Sequence, residues 1–422
     1  MISPEPGELQ ELVRELHRQA APWQPAGLGS RLSWGPQPEQ GSATVSCRAL
    51  RGIVEHSPGD FTVTVWAGTP LVELQAELAH HGQWLTLDWP WGTGSRGAGR
   101  GAGSGAASDD ASGDTSGSVG GLVARGLAGG LRQRYLGVRD QLIGIELVRA
   151  DGVRARAGGK VVKNVAGYDL MRLFTGSWGA LGLITSVTLR TLPLPPQRRG
   201  LGLSGPLEAL GQLASWLLGS SLSPERIDWW RPGCGGSGAG EGTATGTGRG
   251  GDAGLLISLA SINAATLEEQ IACISARGAA LGIGALPLEP AELEAQVAQG
   301  RGPGPEASDW LLRLAVRPSR APALVAEPAL AQLPLCLGAG SGLGVSWASA
   351  AELPAYRVEA LRRSCQQWGG YLTVLRQPSS SQLPAWLDAP ARPMVEAIKR
   401  QFDPLQQLAR GRLPGVQPPP LG

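Results

Sequence analysis

The sequence predicts an α+β protein of two domains that meet in the proline-rich stretch at residues 192–196. The chain has 422 residues, more than the roughly 100–200 residues of a single domain. In the second half a strand–helix–strand order occurs twice, and this order is typical of ferredoxin-like domains. We therefore predict an N-terminal helical segment at 1–24, a first domain at 25–196 and a second domain at 197–422.

The first domain begins with three well-marked elements. Apolar side chains recur at helical spacing over residues 8–20, which predicts an amphipathic helix. Alternation of apolar residues with threonines over 61–65 predicts a half-buried strand. A second helix is predicted to begin at Pro70 with Thr69 as its N-cap. Its buried face comprises Leu71, Leu74 and Leu78.

A predicted hairpin and one more strand complete this domain. Residues 143–147 alternate as a strand, Asp151 and Gly152 form the turn, and 153–156 return. A further strand covers 183–189. In the second domain the pattern predicts strands at 255–259, 312–316, 344–347 and 371–375, and helices at 266–276, 351–368 and 394–402.

Two tracts are too poor in apolar residues to pack into a core. Residues 92–117 and 233–254 consist mostly of Gly, Ala, Ser, Thr, Asp and Arg. We predict that both are flexible insertions, one in each domain.

Charge and hydropathy exclude several classes of function. The formal net charge is +2, so no nucleic acid is expected as a partner. The apolar run at 255–260 is far shorter than the roughly 20 residues of a membrane-spanning helix. Residues 1–20 lack the basic end and the apolar stretch of a secretion signal. We expect a cytoplasmic protein with at most peripheral membrane association.

The cysteines and histidines match no metal motif. The five cysteines are scattered without a CxxC pair, and the four histidines include no HExxH. We therefore expect no disulfide framework, no iron–sulfur cluster held by this chain and no metal site.

Two glycine-containing turns are suited to a phosphate. Residues 25–31 read P-A-G-L-G-S-R, in which consecutive N–H groups can form an anion nest, although such a loop taken alone is more often a simple tight turn. Residues 118–122 read S-V-G-G-L at the start of a small-residue helix. There the paired glycines favour either a pyrophosphate at free N–H groups or close helix packing.

A long motif at 158–185 carries a family resemblance. It includes K-N-V-A-G-Y-D-L and G-S-W-G-A-L-G-L-I-T, and it resembles the signature of the FAD-linked oxidases that have a vanillyl-alcohol-oxidase-type (PCMH-type) flavin domain. Within that family the chain is most similar to the smaller FAD-binding subunits of bacterial glycolate oxidases. Further similar segments lie at 51–54, 67–71 and 126–129, so that the resemblance spans 27–193.

The resemblance implies an α+β fold: a PCMH-type FAD-binding domain of two subdomains, followed by a ferredoxin-like α/β cap domain. It also implies FAD held without a covalent bond, since no His or Cys lies in these motifs. The residues implied to bind or brace the cofactor are Gly27, Gly29, Ser30, Ser118, Gly120, Gly121, Tyr168, Asp169, Gly182 and Ile184. The segment at 402–404 resembles the one that returns the family's chain to the flavin.

Two departures from the family pattern concern activity. Residues 408–412 read L-A-R-G-R where the family has L-N-P-G. The family's catalytic hydroxy-acid dehydrogenases carry a histidine-and-acid metal site in the cap, whereas no histidine follows His81 here. No catalytic base is therefore identified. Arg376, Arg362 or Arg317 could bind a substrate carboxylate, although exposed surface charge is the simpler interpretation.

The function implied is that of an FAD-binding subunit in a complex that oxidises glycolate, a small 2-hydroxy acid, to glyoxylate. Its partners would be a catalytic flavin subunit and an iron–sulfur subunit, through which electrons leave. The alternatives are a self-sufficient FAD-dependent 2-hydroxy-acid dehydrogenase and a cofactor-free structural subunit. Turnover by the purified chain and the colour of the protein separate the three.

Overall fold

The computed structural model describes residues 1–88, 117–160, 168–232, 252–301 and 309–417. The helices are α1 Leu9–Arg18, α2 Leu71–His80, α3 Val119–Arg125, α4 Arg132–Tyr135, α5 Val138–Gln141, α6 Leu207–Gly219, α7 Ala264–Ala279, α8 Pro290–Arg301, α9 Ala321–Val325, α10 Ala355–Gln367 and α11 Arg392–Phe402. The strands are β1 Trp23–Ala26, β2 Ala43–Ser46, β3 Ile53–Ser57, β4 Thr62–Trp66, β5 Gln83–Trp84, β6 Leu142–Val148, β7 Arg154–Gly158, β8 Leu183–Arg190, β9 Leu192–Pro193, β10 Gln197–Ser204, β11 Arg226–Arg231, β12 Gly254–Ser261, β13 Gly284–Leu288, β14 Trp310–Ala315, β15 Leu335–Gly338, β16 Leu343–Ala348 and β17 Tyr371–Arg376.

The first half of the chain forms a five-stranded antiparallel sheet in the order β3-β4-β8-β6-β7. The predicted strands at 61–65, 143–147 and 183–189 are confirmed as β4, β6 and β8. Their apolar side chains pack against α2 and α3 in one core. The β6–β7 hairpin turns at Gly152, whose φ of +77° is one that glycine adopts without a Cβ penalty.

The start of α2 corrects one expectation. Leu71, Leu74 and Leu78 form its buried face as predicted. The N-cap, however, is Pro70, and Thr69 does not cap the helix. The Thr69 hydroxyl instead accepts a hydrogen bond from the Gly52 N–H (2.9 Å) and donates one to the Gly52 carbonyl (3.2 Å). Thr69 thus ties two loops together.

The N-terminal segment forms a small subdomain with the chain's last described residues. The predicted first helix is confirmed as α1. Beside it, β1 and β2 form a short parallel pair. Trp23 of β1 makes a parallel bridge with Leu408, so the C-terminal segment extends this layer. Trp23 and Leu408 share one buried cluster with the apolar face of α1.

The second half forms an eight-stranded antiparallel sheet in the order β13-β10-β12-β11-β15-β16-β14-β17. It contains two complete β-α-β-β-α-β units, which are β10-α6-β11-β12-α7-β13 and β14-α9-β15-β16-α10-β17. Each has the ferredoxin-like strand arrangement, and the units join where β11 pairs with β15. The α+β class is confirmed.

The grouping of the predicted strands into repeats was wrong. The pattern joined residues 255–259, 266–276 and 312–316 into one strand–helix–strand unit. In the structure the first two belong to the first ferredoxin-like unit, as β12 and α7, whereas the third is β14 of the second unit. Strands β10 and β13 were missed because arginine, glycine or proline interrupts their apolar pattern, β11 because Asp228 does, and β15 because it has only four residues.

Three predicted features lie wholly or partly outside the described residues. The insertion at 92–117 is described only at Gly117, and the tract at 233–254 only from residue 252 onward. Residues 161–167 of the family motif are also outside. In the described ranges, no helix is both long enough and apolar enough to cross a membrane.

The C-terminal helix α11 returns the chain to the first half. The Lys399 ammonium donates to the carbonyls of Ala180 and Leu408, at 2.8 Å each, and to the Asp403 carboxylate at 2.5 Å. Phe402 meets Phe174 edge-on, with 5.5 Å between ring centroids. Residues 403–412 therefore lie against the segment that leads into β8.

Candidate functional site

Three segments that are distant in sequence meet at one cleft. One is the loop at 27–31 after β1, another is the first turn of α3, and the third is the segment at 178–184 that enters β8. Of the ten residues named from the sequence, eight line this cleft, namely Gly27, Gly29, Ser30, Ser118, Gly120, Gly121, Gly182 and Ile184.

The loop at 27–31 presents unused backbone donors. Among the described residues, no acceptor lies within hydrogen-bond distance of the N–H groups of Gly27, Leu28, Gly29 and Ser30. The loop is fixed from outside, because its carbonyls at Gly27 and Leu28 accept from the Ser46 hydroxyl (2.8 Å) and the Arg48 guanidinium (3.2 Å). Gly29 has φ +85°, a value that suits glycine. A rigid loop with successive free N–H groups is an anion nest.

Close packing holds this loop against the start of α3. A Cβ on Gly27 would overlap the Ser118 hydroxyl, and a Cβ on Gly120 would lie 2.7 Å from the Ala67 Cβ. Glycine is favoured at both positions because a Cβ would overlap the Ser118 side chain in one case and Ala67 in the other. Ser118 is the N-cap of α3, and its hydroxyl accepts the Gly121 N–H at 3.1 Å.

This packing corrects the expectation of free N–H groups at residues 118–122. The N–H of Val119 donates to the Thr69 carbonyl at 2.9 Å, and that of Gly120 to the Ala67 carbonyl at 2.8 Å. With Gly121 bonded to Ser118, the first turn of α3 has no donor left for a ligand. Helix packing, the second interpretation of this motif, accounts for the paired glycines, and the donors lie in the loop at 27–31.

A cysteine from outside the quoted motifs also lines the cleft. Cys47 is buried in the lining, and its thiol donates to the Ile184 carbonyl at 3.5 Å. Burial raises the pKa of the Cys47 thiol to about 12, so the thiol stays protonated at neutral pH. A protonated thiol is a poor nucleophile, and a non-covalent cofactor therefore still agrees with the site.

Tyr168 and Asp169 do not lie in this cleft. The Tyr168 side chain is 87% exposed, and the Asp169 carboxylate pairs with Arg172 at 3.1 Å on the surface. The residues that precede them, 161–167, are outside the described ranges.

The sequence reasoning missed three buried arginines, two of which lie over the Trp178 ring while the third lies over Trp34. Arg31 and Arg125 line the cleft, and Arg412 reaches the Trp178 indole from the C-terminal segment. The Arg125 guanidinium stacks on Trp178 at 3.9 Å from the ring centroid, and the Arg412 guanidinium lies at 5.8 Å. Trp178 itself has φ +56°, an uncommon conformation for a bulky side chain.

These arginines carried little signal in the sequence. Arg31 directly follows the glycine loop, and Arg125 lies on a predicted small-residue helix, so both could have been included among the candidates. Arg412 is 381 positions beyond Arg31, and no spacing rule connects them. Only the return of the chain along α11 brings Arg412 to Trp178.

The three arginines considered for a substrate carboxylate lie elsewhere. None of Arg317, Arg362 and Arg376 lines the cleft. Arg317 is exposed, in agreement with surface charge. Arg362 is buried, and its guanidinium donates to the Pro384 carbonyl at 2.5 Å. Surface charge is therefore the wrong interpretation for Arg362, which serves packing within the second half.

Comparison with known proteins identifies the first part of the chain. Residues 4–116 match a protein family described as an FAD binding domain. This part of the chain is therefore similar to an FAD-binding domain. FAD is the cofactor of such a domain, and the site is compatible with it, because the loop at 27–31 offers unused N–H donors of the kind that bind a diphosphate.

Two relatives each match about half of this chain. Glycolate oxidase subunit GlcE of Escherichia coli is 35% identical over 180 residues, covering 42% of this chain and 44% of the relative. Glycolate oxidase subunit GlcD of Bacillus subtilis is 30% identical over 223 residues, covering 52% of this chain and 43% of the relative. The matched part thus spans less than half of either relative.

The fold has a likeness among solved structures. An alkyldihydroxyacetonephosphate synthase superposes with a TM-score of 0.62, covering 96% of this chain and 74% of the synthase at 13% identity. The two proteins thus share a fold that extends over both halves of this chain, in agreement with the predicted PCMH-type fold class. Within the described ranges, no group of three or more His, Cys, Asp or Glu side chains is arranged to hold a metal ion.

Proposed function

We propose that this chain is the FAD-binding subunit of a complex that oxidises a 2-hydroxy acid, with glycolate as substrate and glyoxylate as product. The observation that carries the proposal is the cleft itself, where an anion nest and a tightly packed glycine turn meet in a domain of the FAD-binding family. Residues 25–196 would hold the cofactor and residues 197–422 would cover it.

The roles of the residues follow from their contacts. The N–H groups at 27–30 would hold the diphosphate, while Ser118, Gly120 and Gly121 form the opposite wall. Gly182 and Ile184, at the beginning of β8, would contact the cofactor through their backbone atoms. When bound, FAD supplies a two-electron acceptor. The protonated Cys47 thiol leaves the cofactor unattached.

Partners are proposed from the relatives and from what this chain lacks. Both relatives are named as subunits of glycolate oxidases. The cysteines of the described residues are all free, and none pairs with another in a CxxC. An iron–sulfur subunit would therefore take the electrons, and a second flavin subunit would supply the catalytic base. The expected location is the cytoplasm.

Absorbance spectra of the purified full-length chain test this function. After incubation with FAD and removal of free flavin, we expect a flavin spectrum that stays oxidised under anaerobic glycolate. With co-expressed flavin and iron–sulfur partner chains, glycolate should bleach it. Bleaching of the single chain would instead establish a self-sufficient dehydrogenase, and a colourless chain that takes up no FAD would make it a structural subunit.

A glycine substitution checks that the cleft is the FAD site. In Gly27→Ala the new Cβ overlaps the Ser118 hydroxyl, so the loop must move away from α3. We expect FAD affinity to fall by about tenfold or more, which corresponds to about 1.4 kcal/mol. Gly59→Ala is the matched control, because its Cβ meets nothing within 4 Å. Equal FAD affinity in both variants would place the cofactor elsewhere.

A further inference from the structure

Arg125 carries a buried positive charge with no acidic partner in the described part of the chain. Only 9% of the residue is exposed, and the ion pairs of the described residues do not include it. One terminal nitrogen, Nη2, donates to the Arg31 carbonyl at 2.7 Å. The other, Nη1, is buried and has no hydrogen-bond partner.

The neighbours of Arg125 add to the positive charge. Burial, followed by repulsion from Arg412 and Arg31, lowers the pKa of Arg125 well below its usual value. Arg412 is 2% exposed, and burial lowers its pKa to about 10. Arg412 uses its terminal nitrogens on the Gln24 side chain (3.0 Å) and the Trp34 carbonyl (2.5 Å). Both contacts are to neutral groups.

Stacking on Trp178 compensates only part of the free-energy cost of burying the Arg125 charge. A cation over an indole gains about 0.5–2 kcal/mol, whereas a buried charge without a counter-ion costs several kcal/mol. Trp178 also holds Arg125 in place, because the Trp178 backbone N–H donates to the Ala124 carbonyl at 2.9 Å and the Trp178 ring packs on Trp386. Since Arg125 lines the cleft, a bound anion can reach the guanidinium and balance the charge.

We propose that Arg125 is the anion-binding side chain of this cleft, with Trp178 and Arg412 as its positioning residues. Its guanidinium takes an anionic oxygen of the bound molecule, which is either a phosphate of the cofactor or the carboxylate of the acid substrate. The proposal rests on the proposed function in that both ligands belong to an FAD-dependent hydroxy-acid oxidation. It adds a side-chain contact to the backbone nest at 27–30.

The test compares FAD with riboflavin, which has the same ring but no phosphate. Dissociation constants are measured for the full-length wild type, Arg125→Gln and Arg125→Lys. Arg154→Gln on the exposed strand β7 is the matched control. Loss of a charged hydrogen bond should weaken FAD binding in Arg125→Gln by about 10- to 100-fold. Riboflavin binding should stay within about twofold, and Arg125→Lys should be intermediate.

A carboxylate ligand gives a different result. FAD and riboflavin would then bind Arg125→Gln as they bind the wild type. Perturbation of the bound flavin spectrum by glycolate would require about 10- to 100-fold more glycolate. If neither FAD nor glycolate binding depends on Arg125 beyond the Arg154→Gln control, the proposal is overturned.

Thermal unfolding of the flavin-free chain separates this proposal from the proposed function. Removal of an uncompensated buried charge should raise the unfolding midpoint in Arg125→Gln, and inorganic phosphate should stabilise the wild type but not the variant. If the wild type binds no flavin, the proposed function fails, yet phosphate stabilisation that depends on Arg125 still supports the anion site. Equal phosphate stabilisation of both proteins would overturn it.

Discussion

Glu225 shows how a single buried carboxylate links the two halves of the chain. Its side chain is 1% exposed and accepts hydrogen bonds from Arg198 (2.7 Å), Tyr135 (2.6 Å) and Ser258 (3.0 Å). Tyr135 belongs to α4 in the first half, whereas the other two lie on strands of the eight-stranded sheet. Burial opposes the charge of Glu225, but the bonds and charge of Arg198 outweigh it and lower the pKa of this carboxyl.

Glu225 predicts a loss of stability in acid. Because the pKa is lower in the folded state, its contribution is complete above the unfolded-state pKa of about 4.3 and is lost as the pH falls through the folded pKa. We expect Glu225→Gln to lose about 1.5–3 kcal/mol of unfolding free energy at pH 7. As the pH falls, the variant should lose less further stability than the wild type does. Urea unfolding from pH 7 down to about pH 3 measures both.

The control for this experiment is Glu269→Gln on the exposed face of α7. It should keep the wild-type stability and the wild-type pH dependence. If Glu225→Gln lost as much unfolding free energy in acid as the wild type does, the Glu225 carboxylate would not be the cause of the acid sensitivity.

One buried ion pair fixes the end of helix α11 and the turn that follows it. Lys399 and Asp403 lie 2.5 Å apart, with side chains 5% and 0% exposed. Burial lowers the pKa of Lys399, although the Asp403 charge opposes this shift. Asp403 also accepts the Leu408 N–H at 2.7 Å, and this bond fixes the turn that carries the chain toward Arg412.

Removing the cation of this pair should destabilise the protein strongly. Lys399→Met leaves the Asp403 carboxylate buried without its counter-ion, a change that typically costs about 3–5 kcal/mol. The double variant Lys399→Met/Asp403→Leu should recover part of that loss, because no uncompensated charge remains. A double-mutant cycle by urea unfolding measures the recovery.

Lys160→Met supplies the control, because Lys160 pairs with Glu55 on the surface, where both side chains are about half exposed. It should change stability by less than about 1 kcal/mol. If Lys160→Met and Lys399→Met lost the same unfolding free energy, burial of the Lys399–Asp403 pair would not be the reason for its large contribution to stability.

At the scale of the whole molecule, the two halves share one hydrophobic core. Leu311, Val345 and Leu375 of the eight-stranded sheet pack in the same cluster as α2, α3 and β8. A buried charge triad lies at this contact, where Arg226 pairs with Asp88 at 2.6 Å and with Asp228 at 2.7 Å. Burial opposes the charge of Arg226, but the two carboxylates outweigh it and raise its pKa.

The triad predicts a stability effect across both halves. In Arg226→Met the Asp228 carboxylate stays fully buried beside Cys336 without its cation, at a cost of about 3–5 kcal/mol. Arg199→Met in the same sheet is the control, because its partners Glu268 and Glu289 are exposed. Chemical unfolding followed by tryptophan fluorescence measures the loss, and equal stability of the two variants would show that the triad does not hold the halves together.

The sequence by itself determined about half of the helices and strands and the glycine residues of the cleft. The period of apolar residues located α1, α2, β4, β6 and β8, because a local pattern decides which face of an element is buried. The glycine turns at 27–31 and 118–122 could be read directly, because a close backbone approach tolerates no Cβ.

Only the tertiary structure decided which strands share a repeat, which donors remain free and how the charges are arranged. β14 joins the second ferredoxin-like unit through pairing with β16 and β17, and sequence order carries no record of that pairing. The N–H groups of α3 are used by carbonyls of residues 67 and 69, so the free donors lie in the other loop. Arg412 meets Arg125 through α11, because long-range packing, not spacing along the chain, sets electrostatic contacts.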